Sequence, residues 1–290
     1  MVEKEIKINI EKIKQGKSLK ELLEFGIINI DKPSGPTSFT ISDLVREKLG
    51  LRKTSHFGTL DPKVTGVLPI ALNRACKLTG FFLGEDKEYV GIMRLHKEIS
   101  IGKIQKAIKE KFLGNITQLP PVKSRVKRQE RQREIKSFKI LEKNGQNFLF
   151  QVECQGGTYI RKLIHDLGEH LGIGAHMLEL RRIRAGIFEE KNSVTLYELE
   201  KAIKNEEELK KIIIPGEIIS ELYPVVQIKK EFVDKLLHGS PIYYENLTKK
   251  CKFNIGDKIS IFSDNRFLGV FRVINEKKIF AKPEFVFQPV

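Results

Sequence analysis

His56-Phe57-Gly58-Thr59-Leu60-Asp61-Pro62-Lys63-Val64-Thr65-Gly66 is the stretch from which the rest of the chain can be ordered. Gly58 and Gly66 permit backbone angles that other residues avoid, and Pro62 fixes the chain directly after an acidic residue. A lone Asp-Pro pair is ordinarily just the start of a turn. Here the punctuation predicts a stiff loop that presents Asp61 between two apolar elements. Upstream, Gly26–Asp31 reads as a buried strand that Lys32-Pro33-Ser34-Gly35-Pro36 breaks, and Ser38 caps a helix running to about Leu49. Downstream, Val67–Leu72 reads as an apolar strand.

Further out, Lys87–Leu95 alternates as a strand, with Tyr89, Gly91, Met93 and Leu95 on one face. A helix from Ser100 to Phe112 has ordinary core spacing at Ile101, Ile104 and Ile108. Ile135–Cys154 reads as a hairpin turning at Asn144-Gly145. After Gly156-Gly157 a helix ends at Gly172, a strand covers about Ala175–Ile183, and a helix spans Leu196–Ile212. Pro215-Gly216 marks a linker. Beyond it lie a helix at Glu231–Leu237 and alternating strands at Lys258–Phe262, Phe267–Ile274 and Lys278–Phe287, which suggests a small β-barrel. The order of elements is not a steady βαβ alternation, so the large unit reads as α+β.

The chain has 290 residues, which at roughly 150 per domain suggests two domains. Hydrophobic residues make up 40% and charged residues 31%, too apolar a mix for a disordered chain. No apolar run is long enough for a transmembrane helix, and the N-terminal MVEKEIKINIEK has no apolar signal core. Cys76, Cys154 and Cys251 lie far apart, without metal-ligand spacing, which argues against a disulfide framework or a zinc site and suits a reducing cytoplasm.

Lys plus Arg number 52 against 37 Asp plus Glu, a net charge of +15. A surplus of that size attracts phosphate polymers or anionic membranes. Residues 212–290 carry 12 basic and 9 acidic groups, so most of the surplus sits before them. The densest cluster, Val122–Lys136, holds seven basic and two acidic residues directly after Pro120-Pro121. No amphipathic face or lipidation motif stands beside it, so nucleic acid is the better partner than a membrane.

Six segments follow one another in order: GIINIDKPSGPTS from Gly26, HFGTLDPKVTGVLPIAL from His56, KEYVGIMRLH from Lys87, PPVKSRVKR from Pro120, GGTYIRKLIHDLGEHLG from Gly156 and GAHMLELRRIRAGIF from Gly174. Together they resemble the TruB/dyskerin family of pseudouridine synthases. The later segments LLHGSPIYY, NIGDKISIF and FLGVFRV are similar to a PUA domain, so the likeness covers residues 25–290. Within the family the chain most resembles the archaeal dyskerin-like branch, the catalytic subunit of box H/ACA particles. The N-terminal extension, the RLHKEIS segment and the short basic insertion after Pro121 carry that finer likeness.

The resemblance implies an N-terminal extension at 1–25, an α+β mixed-sheet catalytic domain at 26–212 and an RNA-binding PUA domain, a small β-barrel, at 213–290. It implies isomerisation of uridine to pseudouridine in RNA, with no metal or organic cofactor. The implied partners are a box H/ACA guide RNA, rRNA and tRNA substrates and small accessory proteins. A guide-independent tRNA T-loop synthase is the alternative, and a non-catalytic RNA-binding scaffold is the alternative of another class. By likeness of motif, Asp61 is the catalytic residue, acting as nucleophile or base. A buried carboxylate tends to take up a proton unless a cation stands beside it, and the resemblance points to Arg161 as that cation. Tyr89 would stack on the flipped base, Tyr159 and Leu180 would wall the pocket, and His56 would support the nucleotide. Lys127, Arg128 and Arg131 fit a substrate-gripping thumb loop, while Arg181, Arg182 and Arg184 would bind the RNA backbone. Phe57 stands where relatives typically have a small residue, and Arg125 where they commonly have Ala.

Overall fold

The computed structural model describes residues 7–120 and 129–288. Two compact units emerge, one spanning Leu23–Ile213 and the other combining the described residues up to Leu22 with those from Ile214 onward. Short helices α1 (Ile10–Gln15) and α2 (Leu19–Glu24) open the chain.

The larger unit is built on a mixed sheet. Its strands include β1 (Gly26–Lys32), β2 (Thr54–His56), β3 (Thr65–Leu72), β4 (Lys87–Leu95), β5 (Gly114–Gln118), β6 (Arg131–Asn144), β7 (Asn147–Cys154), β8 (Ala175–Ala185) and β9 (Phe188–Glu189). The central path runs β1-β3-β8-β4-β7-β6-β5, with β2 added to β3 and β9 to β8. β1 and β3 are buried along almost their whole length; β3 carries the apolar run Val67–Leu72, while β1 buries the polar Asn29 and Lys32 among its isoleucines. β4 and β7 alternate between buried and partly exposed, so one face of each meets the core. Among the described residues six helices join this frame: α3 (Ser38–Lys48), α4 (Thr79–Leu83), α5 (Ile101–Lys111), α6 (Ile160–His170), α7 (Leu196–Ala202) and α8 (Glu206–Ile212), the last two lying where one helix was expected. α6 buries Leu163, Ile164 and Leu167.

Three local expectations change. The predicted helix 196–212 is broken because Asn205 leaves helical angles and caps α8, accepting from the amides of Glu207 and Glu208. β5 was not expected from GNITQ, whose polar residues carry no apolar alternation, and it forms by pairing with the lower half of β6. Thr37, not Ser38, caps α3, because the Ser38 hydroxyl is engaged elsewhere.

The second unit holds a five-stranded, half-barrel sheet in the order Val225–Gln227, Lys258–Ser263, Arg266–Glu276, Ile279–Val286, Ile242–Tyr243. Ile259, Ile261, Phe271 and Phe280 from these strands pack with Leu236 and Leu237 of a short helix. Lys17 reaches Glu217 at 2.5 Å within the same unit. Among the described residues, no helix is long and apolar enough to cross a membrane.

Candidate active site

The sheet order itself assembles the site. β3 pairs β8 in parallel with Gly66 opposite Arg182, and β4 pairs β8 antiparallel with Tyr89 opposite Arg182. The end of the Asp61 loop, Arg182 and Tyr89 therefore occupy one row across three strands. Gly66 is irreplaceable there: its φ is +99°, and a Cβ would lie 2.2 Å from the Arg182 carbonyl oxygen.

The loop is held from inside by apolar side chains and polar clamps. Phe57, Leu60 and Val64 are buried, while Asp61, Pro62 and Lys63 are turned outward. Phe57 stacks on Phe82 with ring centroids 4.7 Å apart and tilts against Phe188 at 5.8 Å, so the bulky residue fills an aromatic pocket under the loop. The Ser38 hydroxyl accepts from the Leu60 amide at 2.8 Å and donates to the Leu60 carbonyl at 3.0 Å. Lys32, fully buried, donates from one ammonium to the carbonyls of Pro33, Pro62 and Val64, each at 2.9 Å. Arg182 donates to the carbonyls of Val67 at 2.8 Å and Gly58 at 3.0 Å. The backbone on both sides of Asp61 is thus fixed by three buried side chains from three different elements.

Arg161 enters from the first turn of α6 and forms an ion pair with Asp61. The start of α6 is itself clipped: the Gln118 side chain accepts from the Tyr159 amide at 3.0 Å and donates to the Tyr159 carbonyl at 3.2 Å. The expectation of a buried Asp61 fails, since its side chain is 49% exposed and that of Arg161 is 63% exposed. The loop plugs the core with its apolar members and must therefore turn the carboxylate out. Burial is not the force that Arg161 opposes; the guanidinium fixes where the carboxylate sits.

Tyr89 is 8% exposed, and its phenol is pushed above its ordinary value mainly by burial, with the Arg182 guanidinium pulling the other way and the Asp61 charge adding to the rise. It remains a hydroxyl at neutral pH, able to donate. Leu180, buried two residues before Arg182, packs over Gly91 opposite it on β4. Tyr159, half-buried, is the residue that precedes α6. His56 lies at the end of β2, 3.1 Å from the Thr59 hydroxyl, and its imidazole is held below its usual value by burial and then by Arg182.

Of the arginines assigned to RNA contact, Arg182 needs correction. Arg182 is 1% exposed and spends its donors on loop carbonyls, so it cannot meet a phosphate. Arg181 is paired with Asp31 at 2.8 Å and with Glu190, and Arg184 with Glu153 at 2.6 Å and Glu88 at 3.2 Å. Arg131 opens β6 opposite Gln118. Lys127, Arg128 and Arg125 lie outside the described residues.

Sequence reasoning missed Lys32, Ser38 and Gln118 as members of the site. For Arg182 a signal existed. Leu180 stands on the inward parity of β8, and a residue two further along a strand shares its face. Among the described residues no cluster of His, Cys, Asp and Glu is arranged to hold a metal.

Comparison with known proteins places the chain in context. Residues 46–160 match the model described as TruB family pseudouridylate synthase (N terminal domain), and residues 161–220 match tRNA pseudouridylate synthase B C-terminal domain. A protein of Methanopyrus kandleri named probable tRNA pseudouridine synthase B is 44% identical over 84% of this chain and 74% of its own length. One of Methanocaldococcus jannaschii with the same name is 45% identical over 81% of this chain and 72% of its length. Among solved structures, a chain in the "Crystal Structure of a Cbf5-Nop10-Gar1 Complex" superposes with a TM-score of 0.88 at 37% identity, covering 95% of this chain and 89% of that one. A chain in the "Structure of H/ACA RNP bound to a substrate RNA containing 2'-deoxyuridine" superposes with a TM-score of 0.86 at 35% identity, with coverage of 95% and 89%.

Proposed function

The chain belongs to the TruB family and is an RNA pseudouridine synthase, and on that footing we propose that it modifies rRNA uridines chosen by a box H/ACA guide RNA. The reaction needs no outside reactant. The N1–C1′ bond of a uridine breaks, the base turns, and a C5–C1′ bond forms; the C5 hydrogen leaves as a proton and N1 takes one up. Asp61 supplies the carboxylate that starts this sequence, as nucleophile or base. Arg161 positions that carboxylate, and Tyr89 lies under the base with a protonated hydroxyl. The target must first leave the RNA stack, at a cost of a few kcal/mol.

The observation that carries the catalytic reading is the ion pair of Asp61 and Arg161 on a loop clamped by Lys32, Ser38 and Arg182. Guide dependence is supported by the likeness over 95% of the chain to subunits of complexes whose titles name Nop10, Gar1 and an H/ACA RNP. In this reading residues 213–290 are a PUA domain that anchors the guide RNA, small accessory proteins dock on the catalytic domain at 26–212, and residues 1–25 are an extension. The basic residues Lys127, Arg128 and Arg131 grip substrate. The wide spacing of the three cysteines along the chain suits a reducing cytoplasm as the place of action.

A second reading, a stand-alone synthase acting on the tRNA T-loop, is favoured by the names of the archaeal relatives. The separating assay offers the purified protein a tRNA transcript and, separately, a guide paired with its target. Pseudouridine in the target only when guide is present supports the guided reading. Full activity on tRNA with no response to guide supports the other.

A further inference from the structure

Phe39 is one of 18 phenylalanines and, among the described residues, the one with an exposed side chain, at 70%. A single apolar residue on a surface is ordinary; its position is not. The preceding residue, Ser38, holds both backbone groups of Leu60, and Leu60 directly precedes Asp61. Those links put the Cα atoms of Phe39 and Asp61 at most about 15 Å apart. Two residues beyond Asp61, Lys63 is exposed and has no carboxylate partner among the described residues. An exposed ring and an exposed ammonium thus stand on the two segments that the Ser38–Leu60 hydrogen bonds join beside the candidate carboxylate.

We propose that Phe39 and Lys63 bind the unpaired nucleotide next to the target uridine, Phe39 stacking on its base and Lys63 meeting its phosphate. This rests on the reading of the chain as an enzyme that extrudes a uridine. When a base leaves the stack its neighbour loses a stacking partner, and an exposed aromatic ring replaces it, for any base. Beside Phe39 in the sequence, Thr37 and Thr40 are polar and exposed, and a lone exposed ring among polar neighbours suits stacking on a base.

The test places 2-aminopurine on either side of the target uridine in both RNA formats described above, and compares the wild type with Phe39→Ala, Phe39→Leu, Phe39→Tyr and Lys63→Gln. Stacking quenches the probe for wild type and Phe39→Tyr but not for the Ala and Leu variants. Those two raise KM about tenfold with kcat within about twofold, and Lys63→Gln lowers the salt dependence of binding. A Leu variant equal to wild type, an Ala variant without effect, or no quenching by wild type overturns the proposal. Quenching with the expected pattern but no pseudouridine leaves this nucleotide site standing and removes the enzymatic reading.

Discussion

Asp61 and Arg161 are a hundred residues apart in the chain and meet in the open, where an ion pair is worth about 0–1 kcal/mol of stability. Their pairing is therefore a matter of geometry. Arg161→Met is expected to leave the unfolding midpoint nearly unchanged while kcat falls at least about tenfold, measured on the same preparation. A normal rate would dissolve the positioning role. The sequence made both residues legible through the motifs around them. It concealed their exposure, because the inward turn of Phe57, Leu60 and Val64 decides which way the intervening acid points. Buried cations were concealed for a related reason: a lysine's letter does not say where its ammonium ends.

Lys87 makes that concealment measurable. Its ammonium is buried against the carbonyls of Phe82, Leu83 and Glu85, and burial foremost, then the Arg182 charge, lowers it to about 8. Between that value and the unfolded 10.5 the folded chain holds fewer protons at this site, so stability rises with pH across the window. Denaturant unfolding at about pH 7 and about pH 9.5 should show wild type gaining about 2 kcal/mol relative to Lys87→Met. An equal pH response of the two proteins would contradict the burial of a charged lysine.

At the scale of elements, the loop between β2 and β3 is rigid because α3, β1 and β8 each lend it a side chain. Ser38→Ala removes the partner of two backbone groups of Leu60, and leaving them unsatisfied costs about 1–3 kcal/mol. The expected result is a stability loss of that size, read by denaturant unfolding, with a fall in kcat larger than any change in RNA affinity. A variant that keeps full stability and rate would show that the clamp is dispensable. Strands β1, β3, β4 and β7 were readable from apolar runs or alternation, and α3, α5 and α6 from their period. The break before Asn205 and the strand Gly114–Gln118 were not, since a side-chain cap and a pairing partner decided them.

At the scale of the molecule, the +15 charge is the most visible statement in the sequence, and it survives although several arginines near the site are neutralised by carboxylates. The surplus available to RNA must come from elsewhere, and the cluster Val122–Lys136 is the densest source. Replacing Lys127, Arg128 and Arg131 together is expected to weaken RNA binding and lower its salt slope by up to about three. An unchanged slope in a salt titration returns those residues to a solvated surface. The short strands after Glu231 pointed to a second unit, but Pro215-Gly216 is not the linker it reads as: a strand ends at Pro215, a 3₁₀ turn starts at Gly216, and both residues are buried. The grouping of residues before Leu23 with the C-terminal unit was not legible, because it depends on contacts across nearly the whole length of chain.

One measurement reaches the chemistry without intermediaries. RNA labelled with tritium at uridine C5 loses that label as the new carbon bond to the ribose forms, so released tritium counts turnovers. Wild type should release label at the modified position, whereas Asp61→Asn should release essentially none while its RNA affinity stays within about tenfold, or 1.4 kcal/mol. Release by Asp61→Asn at the wild-type rate would remove Asp61 from the reaction.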